Sequence, residues 1–345
     1  MTTEEKSVEG KDGYTSFKVL STAPLVTISA PSLAFPAGVG SVVSDVVGKV
    51  PALHLIHPSW TMDTRRCTAV ANGIERAQAE ATNSAFLLLA SNDMEATAFR
   101  RTGGDSIMGN GLIFTDERTW RPLPPSASLP MYDAVYVARL DPWKRHELAA
   151  GIEDLLLVYT PAHDLPREEA LARTRRLLPR ATFANHDLTG GKYEQFKAAK
   201  VASLLAQARV GLCLSAVEGC MRAAMEYLLC GLPVVSTKSV GGRDRYFGVS
   251  YCRVVDRDHP DSVSAATRDL ALMNFDRRRI RAHVEQVLAF ERYNFLLSLN
   301  AIVRKQFGLS SDLFPTIDPF LGSVGRYFSA NEMRAAITRA IQAAP

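Results

Sequence analysis

Short runs of apolar residues recur along the chain, and stretches of helical length lie between them. The runs are almost continuously apolar instead of alternating between apolar and polar positions, which is typical of parallel strands that are buried on both faces. The predicted strands are Lys18–Ser29, Ala52–His57, Ala85–Ala90, Ala134–Arg139, Leu155–Tyr159, Val210–Ser215, Val234–Thr237 and Ser250–Val255.

The segments between these strands contain few helix-breaking residues, and they predict helices. Because strands that alternate with helices form βαβ units, the order of the elements predicts an α/β fold with doubly wound parallel sheets. The predicted helices are Gly73–Thr82, Arg167–Leu178, Tyr193–Ala208, Met221–Leu229, Ser262–Leu272, Arg292–Phe307 and Ala330–Ala343.

The chain of 345 residues is long enough for two domains of ordinary size. A segment with four prolines, Arg121–Pro130, can continue neither a helix nor a central strand, and it predicts the linker between the domains. We expect a disordered lead-in over residues 1–16, a short N-terminal domain over 17–125 and a C-terminal domain over 126–310. Residues 311–345 predict a helical segment, for which a crossing back to the N-terminal domain is one arrangement.

Composition and charge exclude some classes of function. The chain has 47% hydrophobic and 22% charged residues, as soluble globular proteins do, and its net charge of +4 does not indicate a nucleic-acid-binding protein. Five cysteines without a metal-binding spacing predict reduced thiols in a cytoplasmic protein. The N-terminus lacks the apolar core of a signal peptide, and no run of about 18 apolar residues predicts a membrane span. Peripheral association with a membrane stays open.

The segment Val210–Asp244 carries the candidate chemistry, and its pattern predicts a strand, a turn, a helix, a second strand and a glycine-rich loop. Glu218 lies in the turn before the helix, where free N–H groups and the helix dipole form an anion site. Glu226 follows eight residues later, about 12 Å further along the helix. That separation matches a sugar diphosphate joined to a ribose. The alternative is structural, with Glu218 as a simple turn acid and Glu226 as a solvated helix residue.

This segment resembles the E-x7-E signature of retaining GT-B glycosyltransferases. The residues that match are Ser215, Glu218, Gly219, Glu226, Gly231, Pro233, Val234, Val235, Gly241 and Gly242. A second resemblance lies in DAVYVARLDPWKRHEL, which is similar to the strand-R-L-x-x-x-K pattern of the same family through Arg139 and Lys144. The alternative for these two residues is a basic surface cluster with Arg145.

The resemblance implies the GT-B fold, in which two Rossmann-like doubly wound domains face each other across a cleft. It implies transfer of a sugar from a nucleotide-diphosphate donor to a hydroxyl of a glycan, lipid or small molecule, with retention of configuration and without a metal or a cofactor. Glu218 would be catalytic and Glu226 would hold the ribose. The donor diphosphate would lie on Arg139, Lys144, Gly219, Cys220 and Met221, since Arg and Lys grip phosphate oxygens and helix N-termini attract anions.

Other assignments from the resemblance are less specific. The family places a histidine at a strand end facing the sugar, which favours His57 over His54, and the N-terminal domain would hold the acceptor. The nucleotide base would meet the loop Asn185–Gly191 at His186, for which an ordinary polar loop is the alternative. Gly241 and Gly242 are further candidates for loop contacts. Three further features resemble parts of the family: the loop Phe35–Ser41, the strand-end Ser91 and the turn Asn110-Gly111. A plain turn also explains the loop and the Asn-Gly pair, and a helix cap also explains Ser91.

Two other functions compete with glycosyl transfer. A non-catalytic GT-B paralogue that acts as a binding or scaffold protein would fit the short N-terminal domain. Another GT-B enzyme, such as a nucleotide-sugar epimerase or a phosphorylase, would share the fold, but the sequence shows no sign of the lysine-bound cofactor that a phosphorylase needs. A nicotinamide-dependent Rossmann enzyme does not fit, because no G-x-G-x-x-G follows a predicted strand.

Overall fold

The computed structural model describes residues 13–48, 50–123, 131–308, 317, 321–322, 324 and 327–344. The chain forms two compact units, each built on one six-stranded sheet. Unit 1 comprises Met1–Phe114 and Ala289–Pro345, and unit 2 comprises Thr115–Leu288. The proposed linker lies mostly outside the described residues, and so do residues 1–12 of the expected lead-in.

The sheet of unit 1 has the strand order β12-β1-β2-β3-β4-β5. The pairs β12–β1 and β1–β2 are antiparallel, and the strands from β2 to β5 are parallel and follow one another in chain order. Every residue of the two central strands β2 and β3 is buried, as their continuous apolar sequences predict. The strands are β1 (Tyr14–Thr22), β2 (Leu25–Ser29), β3 (Ala52–Ile56), β4 (Ser84–Ala90), β5 (Ser106–Met108) and β12 (Tyr327–Ser329).

The first three helices of unit 1 each follow one of its parallel strands. Helix α10 packs against α1, α1 against α2, and α2 against α3, so the last helix of the chain joins the layer that the first helices form. The long helix α9 (Arg277–Phe307) begins in the sequence of unit 2 and ends in that of unit 1. The remaining helices are α1 (Gly40–Val47), α2 (Thr64–Glu80), α3 (Asp93–Arg100) and α10 (Ala330–Gln342).

The sheet of unit 2 is wholly parallel and has the strand order β11-β10-β9-β6-β7-β8. Successive strands run outward from β6 to β8 and then from β9 to β11, so the order reverses between β6 and β9, as in a Rossmann fold. The strands are β6 (Tyr132–Arg139), β7 (Leu155–Thr160), β8 (Thr182–Phe183), β9 (Ala208–Cys213), β10 (Val234–Thr237) and β11 (Cys252–Val255). The helices are α4 (Arg167–Leu177), α5 (Ala184–Asp187), α6 (Ala198–Leu205), α7 (Arg222–Leu229) and α8 (Pro260–Leu272).

The first predicted strand was wrong as a single element. The run Lys18–Ser29 contains parts of two antiparallel strands, and a turn at Ala23-Pro24 separates them. The apolar pattern continues through this turn, which hides it, whereas the missing N–H of Pro24 weakens a continuous ladder there. Strand β1 begins at Tyr14, so the last residues of the expected lead-in belong to the sheet.

Two helices are longer than their sequence patterns predict. Helix α2 begins at Thr64 instead of Gly73, because the side chain of Asp63 caps it by accepting a hydrogen bond from Arg66 N. Gly73 is therefore interior to the helix, and a Cβ there would lie 2.7 Å from the side chain of Pro36. Helix α9 begins at Arg277 instead of Arg292. None of the described helices is both long and apolar enough to span a membrane.

His54 is part of the core of unit 1. It lies in β3, is fully buried, and its Nδ1 is 2.8 Å from Thr27 Oγ1. Its ring lies against that of Phe86, with 5.0 Å between the centroids. Burial disfavours the charged ring and lowers the pKa of His54 to about 4. His54 is therefore a packed histidine of the core of unit 1.

We expect the neutral ring of His54 to make folding sensitive to acid. Its folded pKa lies below the ordinary value of 6.5, so its contribution is present above pH 6.5 and is lost as the pH falls towards 4. Between pH 7 and pH 5, the unfolding free energy of the wild type should fall by about 1–2 kcal/mol more than that of His54→Asn, measured by urea denaturation. The exposed His259 offers a control as His259→Asn, which should keep the wild-type dependence. Parallel curves for wild type and His54→Asn would contradict the prediction.

Candidate functional site

The candidate site lies in unit 2 at the carboxyl ends of β6 and β9, where the strand order reverses. Loops that leave two such neighbouring strands diverge, and ligands of open α/β sheets collect in the crevice between them. Arg139 ends β6 and Lys144 follows it, whereas Ser215 and Glu218 follow β9. The topology thus brings together the two sequence patterns that were identified separately.

Lys144 and Glu218 form a buried ion pair between Nζ and Oε1. The two residues are 74 positions apart in sequence and retain only 8% and 7% of their exposure. Lys144 ends a short 3-10 turn, Pro142–Lys144. Burial lowers the pKa of Lys144 to about 8, and the positive charge of Arg243 acts in the same direction. Lys144 therefore loses its proton at a lower pH than an ordinary lysine does.

Arg243 is a third member of this cluster, and the sequence analysis missed it. Its side chain is 1% exposed, and Nη1 lies 3.7 Å from Oε2 of Glu218. The guanidinium donates hydrogen bonds to the carbonyls of Cys213 (2.8 Å) and Thr237 (3.0 Å) at the ends of β9 and β10. The available signal was its place directly after Gly241 and Gly242, in the loop that leaves a buried strand.

Ser215 links Arg243 to Glu218. Its Oγ accepts a hydrogen bond from Arg243 Nη1 at 3.1 Å and donates one to Glu218 Oε2 at 2.5 Å. Each carboxylate oxygen of Glu218 therefore has its own partner, Lys144 on Oε1 and Ser215 on Oε2. Such hydrogen bonds hold a carboxylate in one orientation and also stabilise its ionised form.

Gly241 and Gly242 bring this loop close to the turn that contains Glu218. A Cβ at Gly241 would lie 2.0 Å from the carbonyl oxygen of Glu218 and 2.3 Å from that of Gly219. Gly242 has φ +74°, a left-handed conformation that L side chains rarely adopt. Both glycines thus have a structural role, because they allow the backbone that precedes Arg243 to pass close to the turn of Glu218. Their predicted contact with a ligand stays a prediction.

The cluster has an excess of positive charge. Arg139 Nε lies 3.2 Å from Oδ2 of Asp141, which is itself 1% exposed. Counted with Lys144, Arg243 and Glu218, the group contains three cations and two carboxylates, so its cations outnumber its carboxylates by one. Buried charges are stable only when they are paired. The arrangement therefore favours the arrival of an anion.

Arg145 has a structural role beside the cluster. It adopts the left-handed conformation with φ 53°, and its Nε donates to the carbonyl of Leu214 at 2.7 Å. The same guanidinium binds Thr237 Oγ1 at 2.6 Å and Asp258 Oδ2 at 2.6 Å. Arg145 thus connects the ends of β9 and β10. These bonds give it a structural role, which the alternative of a basic surface cluster did not include.

The predicted diphosphate-binding backbone lies just before helix α7. The helix begins at Arg222, with Met221 as its N-cap and no side-chain hydrogen bond to the cap, so Gly219, Cys220 and Met221 form the turn instead of the first helical residues. The reason is local, since the turn from β9 is fixed by the bonds of Glu218 and by the approach of Gly241. Gly219 is buried and Cys220 is half-buried.

Glu226 lies on α7 and is half-buried, not solvated as the structural alternative required. Burial raises the pKa of its carboxyl to about 7, and the charge of Arg222 opposes this only in part. Among the described residues, no side chain donates a hydrogen bond to this carboxylate. Glu226 is therefore close to half-protonated at neutral pH, unlike an ordinary surface glutamate.

The segment around His186 is held together by its own bonds. Asp187 forms an ion pair with Arg175, and its Oδ2 accepts a hydrogen bond from Phe183 N at 2.8 Å. His186 Nδ1 lies 3.1 Å from Asp187 Oδ1. Asn185 accepts a hydrogen bond from Tyr159 N at 2.7 Å. Asn185, His186 and Asp187 lie in the short helix α5 instead of a loop, and their contacts hold this segment together, whereas base recognition by His186 stays a prediction.

Unit 1 holds the remaining candidates. His57 follows β3 and is half-buried. Its backbone N–H donates to the carbonyl of Ser29 at 2.8 Å, and its ring lies against that of Phe114. Ser91 does not cap helix α3, because the N-cap is Asn92, whose side chain accepts from Glu95 N. No group of three or more His, Cys, Asp or Glu side chains suited to a metal ion occurs among the residues described here.

No protein-family model matches the chain, and no curated protein sequence matches it. Solved structures do. The crystal structure of HepE from Anabaena in complex with UDP has a TM-score of 0.51 and 17% identity, over 78% of this chain and 75% of that one. Sucrose-phosphate synthase from Thermosynechococcus elongatus has a TM-score of 0.49 and 18% identity over 75% and 68%. The lipopolysaccharide outer core galactosyltransferase WaaB has 0.46 and 14% over 76% and 80%.

At these identities the likeness concerns the fold alone. The predicted fold class is confirmed, since the chain is α/β with two Rossmann-like units, each with a six-stranded sheet that is mostly or wholly parallel, as in the GT-B class.

The raised pKa of Glu226 predicts a pH-dependent gain from Glu226→Gln. A carboxyl with a folded pKa of about 7 favours folding while it is protonated, and it opposes folding as the pH rises from its ordinary pKa of 4.5 through 7. Glu226→Gln should therefore be more stable than wild type by about 1–3 kcal/mol at pH 8 and nearly equal to it at pH 5, by urea denaturation. The exposed Glu153 provides the control, and Glu153→Gln should show no such trend. A constant difference between wild type and Glu226→Gln at both pH values would refute the prediction.

Proposed function

We propose that this protein is a glycosyltransferase that moves a sugar from a nucleotide-diphosphate donor to an acceptor hydroxyl. The proposal includes retention of the anomeric configuration and independence from metals and cofactors. The observation that carries it is the buried cluster of Lys144, Glu218 and Arg243 at the strand-order reversal of unit 2, with its excess of positive charge. A cluster with that charge beside a carboxylate suits a ligand that joins phosphates to a sugar.

In this proposal the donor diphosphate lies on Arg139, Lys144 and the backbone of Gly219, Cys220 and Met221. The leaving group of the reaction is a diphosphate, and its developing negative charge needs cations that are already in place. Lys144 is held in place by burial and by its ion pair with Glu218, so little reorganisation accompanies the reaction. Side-chain cations supply here the charge that a metal ion supplies in other transferases, and the protein needs no bound cofactor.

Glu218 would act on the sugar, and Glu226 on the ribose. The two oxygens of Glu218 are held by different partners, which leaves Oε1 shared between Lys144 and a sugar hydroxyl. Glu226 has no side-chain donor among the described residues, and ribose hydroxyls would be its first donors. His57 is the candidate for the acceptor side, and His186, Gly241 and Gly242 are the candidates for the base and its loop. The acceptor is a glycan, a lipid or a small molecule.

A protein that binds the same donor without turnover is the second candidate. The observation in its favour is the sheet of unit 1, whose parallel strands follow chain order, so that among its described strands no reversal creates a crevice like that of unit 2. Hydrolysis or transfer of a donor sugar by the purified protein separates the two candidates. UDP and UDP-glucose are the first ligands to test, because HepE was solved with UDP bound.

The two glutamates should differ in what they do to catalysis. Interactions made only in the transition state change kcat, whereas uniform binding changes KM. Glu218→Gln should lower kcat by at least about tenfold and leave the affinity for free UDP nearly intact. Glu226→Gln should mainly lower the affinity for UDP. Steady-state rates in EDTA and calorimetric titration of UDP measure both effects, with Glu153→Gln as the control. Full kcat in Glu218→Gln would remove Glu218 from the catalytic role, and loss of turnover in EDTA that magnesium restores would overturn the metal-free mechanism.

The low pKa of Lys144 makes diphosphate binding pH-dependent. An anion near Lys144 favours its charged form, so binding should raise a pKa of about 8 and take up a proton. Calorimetry of UDP binding at pH 8 in buffers of different ionisation enthalpy should reveal uptake of about half a proton, and the affinity should fall as the pH rises above 8. Lys144→Arg keeps the charge but cannot lose its proton, so it should bind UDP with no uptake. Equal uptake by wild type and Lys144→Arg would place the titrating group elsewhere.

A further inference from the structure

Arg243 makes more contacts in the cluster than support of the strands requires. A buried guanidinium has five N–H donors and no acceptor, so each donor needs an oxygen nearby. The carbonyls of Cys213 and Thr237 and the hydroxyl of Ser236 take most of them, at 2.8 to 3.2 Å. Nη1 donates to Ser215 Oγ and lies 3.6 Å from Met221 Sδ and 3.7 Å from Glu218 Oε2.

The bond from Arg243 determines what the hydroxyl of Ser215 does. A hydroxyl has one proton to donate, and its oxygen can accept from a neighbour. Because Arg243 donates to Ser215 Oγ at 3.1 Å, the lone pair on that side is occupied, and the hydroxyl proton is directed to Glu218 Oε2 at 2.5 Å. The path from Arg243 through Ser215 thus fixes one oxygen of the carboxylate and aims the other at Lys144.

Arg145 provides the comparison within the same fold. Its guanidinium also connects the ends of β9 and β10, through the carbonyl of Leu214 and Thr237 Oγ1, but its hydrogen bonds go to neither Ser215 nor Glu218. Two arginines therefore join the same pair of strands, and only Arg243 reaches the carboxylate. Mechanical support of the strands would not by itself distinguish them.

We propose that Arg243, acting through Ser215, is the positioning residue that holds the carboxylate of Glu218 at Lys144. This role rests on the function proposed above, in which Glu218 acts on the donor sugar. Arg243 touches neither sugar nor phosphate in this scheme. It sets the orientation in which Glu218 meets them, and the buried positive charge of Arg243 also depresses the pKa of Lys144.

Three conservative variants test the proposal. Ser215→Ala removes the bridging hydroxyl, Arg243→Lys keeps the charge but loses the planar fork, and Arg145→Lys is the matched control on the same strands. Each is measured for the thermal midpoint, for kcat and KM with a UDP-sugar, for UDP affinity, and for the pKa of Lys144. The last is obtained from the pH dependence of acetic anhydride labelling, read by mass spectrometry, and needs neither donor nor turnover.

Ser215→Ala and Arg243→Lys should each lower kcat about tenfold, with donor KM and UDP affinity changed by less than about twofold. Without the bond to Oε2 the carboxylate leaves Lys144, so the pKa of Lys144 should fall further below about 8. Arg145→Lys should lower the thermal midpoint while kcat and the pKa of Lys144 stay as in wild type. Should Arg243→Lys not fold, Ser215→Ala carries the test alone.

The proposal is overturned if Ser215→Ala and Arg243→Lys behave as Arg145→Lys does, losing stability but keeping kcat and the pKa of Lys144. The outcome for the enzyme itself is separate. A wild-type protein that turns over no nucleotide sugar would refute the proposed function, whereas the labelling of Lys144 would still show whether Ser215 and Arg243 hold Glu218 in place.

Discussion

Two cations and one carboxylate are buried together where the strand order of unit 2 reverses, and much of the surrounding structure serves to make this burial stable. Glu218 can leave water only because Lys144 and Ser215 each take one of its oxygens. Arg243 can do so only because two strands end with their carbonyls towards it. Gly241 is required because nothing larger fits against the backbone of the turn. The chemistry and the packing of this region are therefore one arrangement.

The sequence predicts the elements of this arrangement but not their meeting. Continuous apolar runs marked the parallel strands, because burial on both faces leaves little choice of residue. The pattern around Glu218 and the pattern ending in Lys144 were each recognisable alone. Their contact depends on β6 and β9 being neighbours, a property of strand order that no local spacing contains. The sequence likewise could not tell which of the two glutamates would be held by hydrogen bonds.

The errors have physical causes of the same kind. Arg243 escaped notice because the glycines before it were considered only as candidate ligand contacts, and the close approach of Gly241 to the turn of Glu218 depends on the fold. The first strand pair was taken for one strand because its turn is as apolar as the strands themselves. The pKa values of His54 and Glu226 moved in opposite directions on burial, because a base loses its proton and an acid keeps it. Burial of single side chains is set by tertiary packing, which sequence patterns report only on average.

Glu226 has a consequence for engineering this fold. A half-buried carboxyl that is ionised in part at neutral pH, and that receives no side-chain hydrogen bond from the described residues, opposes folding. A design procedure that optimises stability alone would replace Glu226. The resulting variant would be more stable and would lack this hydrogen-bond acceptor on α7. Natural sequences keep such residues where activity and rigidity conflict. Thermostable variants of this chain should therefore be sought by changing the surface and the loops, with the buried carboxyls left as they are.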